Sequence, residues 1–144
     1  MEGYVKLKFF YWHEGYSEDR IESMWAIPVG ENYKVENIPF YVQDFSLGDI
    51  VSAKEEDGEL YVDSLVSRSG HSTIRVFFTD ESIVQQVREE LKSMGCDSEG
   101  SERANYVALD IPPDIDYENI IRPYLDKGFE SDSWDYEEAC LVRP

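Results

Sequence analysis

The chain has 144 residues, 31 of them acidic and 13 basic, for a formal net charge of −18 and a pI near 4.3. So large an acid excess argues against nucleic acid or an anionic membrane surface as a direct ligand, since both are held by Lys and Arg neutralising phosphate charge. Hydrophobic residues make up 42% and aromatics 14%, which excludes disorder driven by low hydrophobicity, and the length suits one domain or two small subdomains burying roughly two thirds of the unfolded surface.

Residues 4–12, YVKLKFFYW, alternate Val5, Leu7, Phe9 and Tyr11 against Lys6 and Lys8, the two-residue period of a strand with the lysines outward. After the turn-rich HEGYSEDR, the stretch IESMWAIPV brings Ile21, Ser23, Trp25 and Ile27 to one face, and GEN separates it from YKVENI as a hairpin turn would. Further short strands are expected near IPFYV, at DIVSAKEE, at ELYVDSLVSR across the EEDGE turn, and at STIRVFF. With no helix before position 80, residues 1–78 read as a small antiparallel sheet that curls into a barrel or half-barrel.

The rhythm then changes. Thr79 or Asp80 can cap a helix over 82–94, where Ile83, Val84, Val87, Leu91 and Met94 recur at helical spacing, and Gly95 supplies a left-handed stop. A polar, mobile loop, CDSEGSER, leads into the strand NYVALDI. After Pro112 and Pro113 a second helix starts at Asp114 or Asp116 and ends at Gly128, with Pro123 bending it or making its first half a separate turn. WDYEEACLVRP closes the chain as a strand with a register change. The class is α+β: a β subdomain over 1–78 and an α/β subdomain over 79–144 in one compact unit. From residue 73 onward the order strand, helix, strand, helix, strand resembles a ferredoxin-like half.

No apolar run approaches the roughly 20 residues of a spanning helix, and MEGYVKLKFFYWHEG lacks the features of a secretory signal, so a cytoplasmic setting is expected. Cys96 and Cys140 stand 44 positions apart with no CxxC or Cys/His spacing, which predicts two buried or half-buried thiols rather than a zinc site or redox pair.

A family resemblance appears in the first half. Trp25 and Ala26 in a strand, Asn37 to Phe40 as an Asn-Ile-Pro-Phe turn, Gly48 to Val51 as a Gly-Asp-Ile-Val strand start, and Ser69 to Thr73 as a Ser-Gly-His-Ser-Thr turn together make the chain resemble the bacterial DUF4265 family. The resemblance implies a compact mixed fold in a bacterial cytoplasm. It transfers no catalytic residue, because the family is named for its lack of an assigned activity.

The chemistry-bearing residues are few. Ser69 and His71 are two apart on a turn before a strand, with no G-x-S-x-G elbow, no third group in view to orient the ring and no oxyanion donors, so the turn reads as structural or as a binding surface with Arg68 and His71, and no catalytic residue is assigned. Asp110, Asp114, Asp116 and Glu118 cluster around IPPD without the glycine or twelfth-position glutamate of a calcium loop, and read as acids favouring a helix N-terminus. His13 beside Glu14 reads as a turn residue. No metal and no cofactor is expected.

Charge points to binding instead. From Cys96 to Pro144 thirteen acids face only Arg103, Arg122, Lys127 and Arg143. Within FESDSWDYEEA, Glu130, Asp132, Asp135, Glu137 and Glu138 surround Trp134 and Tyr136, the pattern of an aromatic anchor steered by charge. The expected function is an acidic interaction protein with a basic protein partner, in particular an immunity protein that neutralises a nuclease toxin of interbacterial competition. The alternatives are a small-ligand or housekeeping binding module and, behind it, a hydrolase using His71.

Overall fold

A computed structural model describes residues 3–142, and the chain divides into two compact units between Ser69 and Gly70. None of the described helices is long and apolar enough to cross a membrane.

In the first unit β1 (Val5–His13) and β2 (Glu18–Val29) form an antiparallel hairpin, and β3 (Asn32–Val35), β4 (Ile50–Glu56) and β5 (Glu59–Ser67) continue it as a meander that closes into a five-stranded barrel. The curled sheet is thus closed. It is also mixed rather than purely antiparallel: in a meander of five strands the first and last point the same way, so β1 and β5 meet in parallel, at Leu7 and Lys8 against Leu60 and Tyr61. Asp57 and Gly58, both at positive φ (53° and 81°), make the two-residue turn that joins β4 to β5.

Leu7 and Phe9 of β1 meet Met24 and Ala26 of β2 inside the barrel, with Val35, Val42 and Val51. In β2 the face holding Ile21, Ser23, Trp25 and Ile27 is the outer one; the buried alternates are Glu22, Met24 and Ala26. The sequence misleads here because the more apolar face of this strand points away from the core.

The strand expected near IPFYV does not form. Pro39 has no N–H to give, and the N–H groups of Phe40, Tyr41 and Val42 donate to the buried Glu22 carboxylate at 2.7, 3.1 and 3.0 Å, which takes the donors a ladder would have used. Ile38 and Val42 are nevertheless buried, so the segment covers the core without being a strand.

The second unit begins with β6 (Ser72–Phe78), which pairs in this unit's sheet rather than with the N-terminal strands. The Asp80 carboxylate accepts from the Ser82 N–H and starts a 3-10 turn, Glu81–Ile83, that runs into α1 (Val84–Ser93). Val87 and Leu91 are buried and Val84 is half-buried against the same core, as the helical spacing predicts. Residues 96–103 are not a loop throughout: β7 (Ser98–Gly100) is an edge strand, and Arg88 reaches from α1 to the Ser98 hydroxyl and carbonyl at 2.8 and 3.0 Å. β8 (Tyr106–Ile111) is buried at every residue.

A π-helical turn, Tyr117–Ile121, precedes α2 (Arg122–Glu130), with Pro123 in the first turn of α2 where its missing donor costs nothing. The helix passes through Gly128 instead of ending there. A side chain at 128 would put its Cβ 2.0 Å from Trp134 Cζ2, so glycine is required for the close approach of β9 (Trp134–Cys140) and not as a stop. The sheet order is β7-β8-β6-β9, all antiparallel, with the register change in β9 falling at Ala139. Ile74, Val76, Val107 and Leu109 of the sheet pack on Val87 and Leu91 of α1 and on Ile121 and Leu125 of α2.

Cys96 and Cys140 are both buried and neither is in a disulfide. Burial, helped by the charges of Asp110 and Asp97, pushes the Cys96 thiol up to about 12, which makes it inert as a nucleophile.

Candidate functional site

Three arrangements carry polar or exposed groups that the fold alone does not account for. The first is at the end of the second unit's sheet. Thr73 of β6 stands directly across from Asp110 of β8, and the residue before the strand, His71, turns its Nδ1 to the Asp110 carboxylate at 2.9 Å from both oxygens. Asp110 is 1% exposed. Alternation along the strands puts it on the face opposite Ile74, Leu109 and the helices, so it is not a helix N-terminal acid. Burial pushes its carboxyl up, to about 6, against the lowering pull of the His71 ring and the hydrogen bond it makes. The orienting group that sequence reasoning found missing is therefore present, 39 residues away. One signal could have found it: an acid inside an otherwise apolar, fully buried strand needs a partner.

The serine and arginine just before His71 have partners in the first unit. Ser69 belongs to the first unit, where its hydroxyl donates to the Leu47 carbonyl at 2.7 Å and its N–H to the Asp49 carboxylate at 2.8 Å. Arg68 donates to the Asp44 carbonyl at 3.2 Å in that same unit. Among the described residues no three His, Cys, Asp or Glu side chains converge as metal ligands. Asp116 caps the Asn119 N–H at 3.1 Å, Glu118 is ion-paired with Arg122 at 2.6 Å, and His13 accepts from the Tyr16 N–H at 3.2 Å.

The second arrangement is the acidic C-terminal segment, which the structure divides. Trp134, expected as an exposed anchor, is 7% exposed: its indole N–H donates to the Leu125 carbonyl at 3.0 Å and its ring packs on Phe78 and Tyr124. The alternation of β9 turns it toward the helices, so it is a core residue. Tyr136 is half-buried, its hydroxyl bonded to Asp126 and its ring edge-on to Phe129. Glu137 neutralises the buried guanidinium of Arg75 at 3.2 Å, and Glu138 accepts from Arg122 at 2.9 Å and from the Tyr117 hydroxyl at 2.5 Å. Burial, and then the Glu138 carboxylate, drive the Tyr117 hydroxyl's pKa well upward. Glu130, Asp132 and Asp135 remain as exposed acids of that segment.

The third arrangement was missed in the sequence. On the outer face of the barrel Phe10 is opposite Ile21, Trp12 is two residues along the same face, and Phe10 stacks on Tyr61 of β5 with ring centroids 5.4 Å apart. Phe10 is 56% and Trp12 54% exposed. Exposed apolar side chains that lie together are a common feature of interaction surfaces. The period-two pattern of β1 contained it, but lysines at positions 6 and 8 made the even-numbered face read as solvent-facing along its whole length.

Several of the residues that carry the family resemblance make contacts that hold the fold. The Trp25 N–H donates to the Asn37 side-chain carbonyl at 2.7 Å; the buried Asp49 carboxylate accepts from Ser46 and Ser69 N–H groups; Gly70, at φ 94°, would place a Cβ 3.2 Å from Pro113; and the Ser72 hydroxyl accepts from the Val142 N–H at 2.9 Å. Comparison with known proteins agrees with a shared fold. The chain is similar to a crystal structure titled as that of a hypothetical protein from Neisseria gonorrhoeae, with 23% identity, 96% of each chain covered and a TM-score of 0.80. No curated protein matches it. A family model described as a domain of unknown function, DUF4265, matches residues 22–136, and with those signature residues inside that span the chain belongs to the DUF4265 family.

Proposed function

We propose that this protein is a binding protein rather than an enzyme, that its partner is a basic protein, and that the specific role is that of a cytoplasmic immunity protein masking the positive groove of a nuclease toxin. The observation that carries the reading is the exposed surface of Phe10, Trp12 and Ile21, with the half-buried Tyr61 stacked on Phe10, on a chain of net charge −18. Aromatic side chains supply desolvated contact area, and the acid excess of the chain, to which Glu130, Asp132 and Asp135 contribute, steers a cationic partner from a distance. The anchors are those of the barrel, in place of Trp134. The strand and helix order of the second unit, with spatial order β7-β8-β6-β9, supports a ferredoxin-like reading of that half.

The experiment is affinity capture from the source organism, then association kinetics with the captured protein at two salt concentrations. The partner should be basic, its on-rate should fall steeply as ionic strength rises past 0.1 M, where the screening length is about 10 Å, and Trp12→Ala should mainly raise the off-rate. An acidic partner, or one indifferent to salt, sinks the reading.

A second reading is favoured by one observation, the carboxylate at His71 Nδ1, which is how a general base is oriented. It predicts a turnover that is lost in His71→Ala and kept in His13→Ala.

A further inference from the structure

Beyond the aromatic surface, the second unit holds a cleft of about 770 Å³, within the range of roughly 300 to 1,000 Å³ typical of small-molecule sites. Every described residue lining it lies between Gly70 and Val142. Its apolar wall comes from Ile111, Pro113, Ile115 and Leu141, brought together because β8 ends at the Pro112-Pro113 break level with the end of β9, with the start of β6 between them. The start of β6 contributes Ser72 to the lining, and its hydroxyl accepts from the Val142 N–H.

The rim has one sign of charge. Asp114, Asp116 and Glu118 line it, and no Lys or Arg does among the described residues. Asp116 and Glu118 also have internal duties, the cap on Asn119 and the ion pair with Arg122, whereas Asp114 stands exposed at the mouth. An anion entering here meets like charge from all three described charged side chains, and a neutral molecule leaves that field unused. An apolar wall under a carboxylate rim is complementary to a hydrocarbon body ending in a positive charge.

We propose that this cleft binds a small organic cation of the aliphatic amine class, with the hydrocarbon body against Ile111, Ile115 and Leu141 and the ammonium group at Asp114. The site shares no described residue with the partner surface on the barrel, and the proposal does not depend on that surface. No bond is made or broken; the function is recognition.

Three probes of one shape test it: 4-phenylbutylamine, 4-phenylbutan-1-ol and 4-phenylbutanoate, titrated into the full chain and followed by backbone amide shifts. The amine should saturate shifts at Gly70, Ile115 and Leu141 and bind about tenfold or more tighter than the carboxylate, with the alcohol between. Asp114→Lys, an exposed change outside the core, should abolish or invert that order while the amide spectrum of α1 stays unchanged, and a control, Asp132→Lys, should leave the order intact. Equal affinity for the three probes, shifts that map elsewhere, no saturable binding of the amine, or an order unaffected by Asp114→Lys would each overturn the proposal.

Discussion

Gly128 and Trp134 offer the sharpest test of the architecture, because the expected sign reverses with background. In a helix, Gly→Ala ordinarily stabilises by about 1 kcal/mol through backbone entropy. Here the new Cβ would meet Trp134 Cζ2, Cε2 and Cη2 at 2.0, 2.1 and 2.5 Å, all atoms of a ring fixed by its hydrogen bond to the Leu125 carbonyl. Overpacking of that kind costs about 1 to 3 kcal/mol or more, so Gly128→Ala should destabilise by a net of about 2 kcal/mol. Trp134→Val removes the ring and should itself cost about 3 kcal/mol or more as a large-to-small core change. In that background Gly128→Ala has nothing to strike and should stabilise by up to about 1 kcal/mol, which gives a coupling near 3 kcal/mol in a double-mutant cycle. Urea denaturation followed by far-ultraviolet circular dichroism reads all four proteins without relying on tryptophan emission. If Gly128→Ala stabilises the parent, or costs the same with and without the indole, the placement of Trp134 in the core is wrong and its reading as a surface anchor returns.

Asp110 should titrate near 6 by side-chain carboxyl NMR, and higher still in His71→Ala, since the ring lowers it; an ordinary value near 4 in the parent would refute the buried pair. The sign for stability follows: the folded carboxyl lies above its unfolded value, so the stabilisation it contributes is full below about pH 4 and is lost as pH rises through about 6, a dependence that Asp110→Asn should remove from urea midpoints. Glu22→Ala should cost about 3 kcal/mol or more by removing the buried acceptor of three N–H groups, and should speed amide exchange at Phe40, Tyr41 and Val42 before other barrel sites; uniform exchange would contradict that anchor. Phe10→Ser with Trp12→Ser should leave stability within about 0.5 kcal/mol, as exposed changes do, while abolishing partner capture; a large loss of stability would mean the patch is covered in the fold.

Periodicity alone determined the elements whose partners are close in sequence. The alternation in β1, the Asp80 cap with the Val87 and Leu91 stripe of α1, the Asp57-Gly58 turn and the break near Pro123 are each set by backbone geometry within a few residues, so they were legible before any contact was known. The signature turns were equally legible as a family resemblance, although their hydrogen bonds were not. What tertiary structure decided is every case where a residue's role depends on something far along the chain. Glu22 took the donors that would have made IPFYV a strand, from 18 to 20 residues away. Asp110 became the partner of His71 across a β-ladder, and Gly128 became a clearance for an indole rather than a helix stop. Trp134 and Phe10 exchanged roles for the same reason: local pattern says that a strand has two faces, and only the packing of helices on one sheet and the closure of five strands into a barrel says which face meets water.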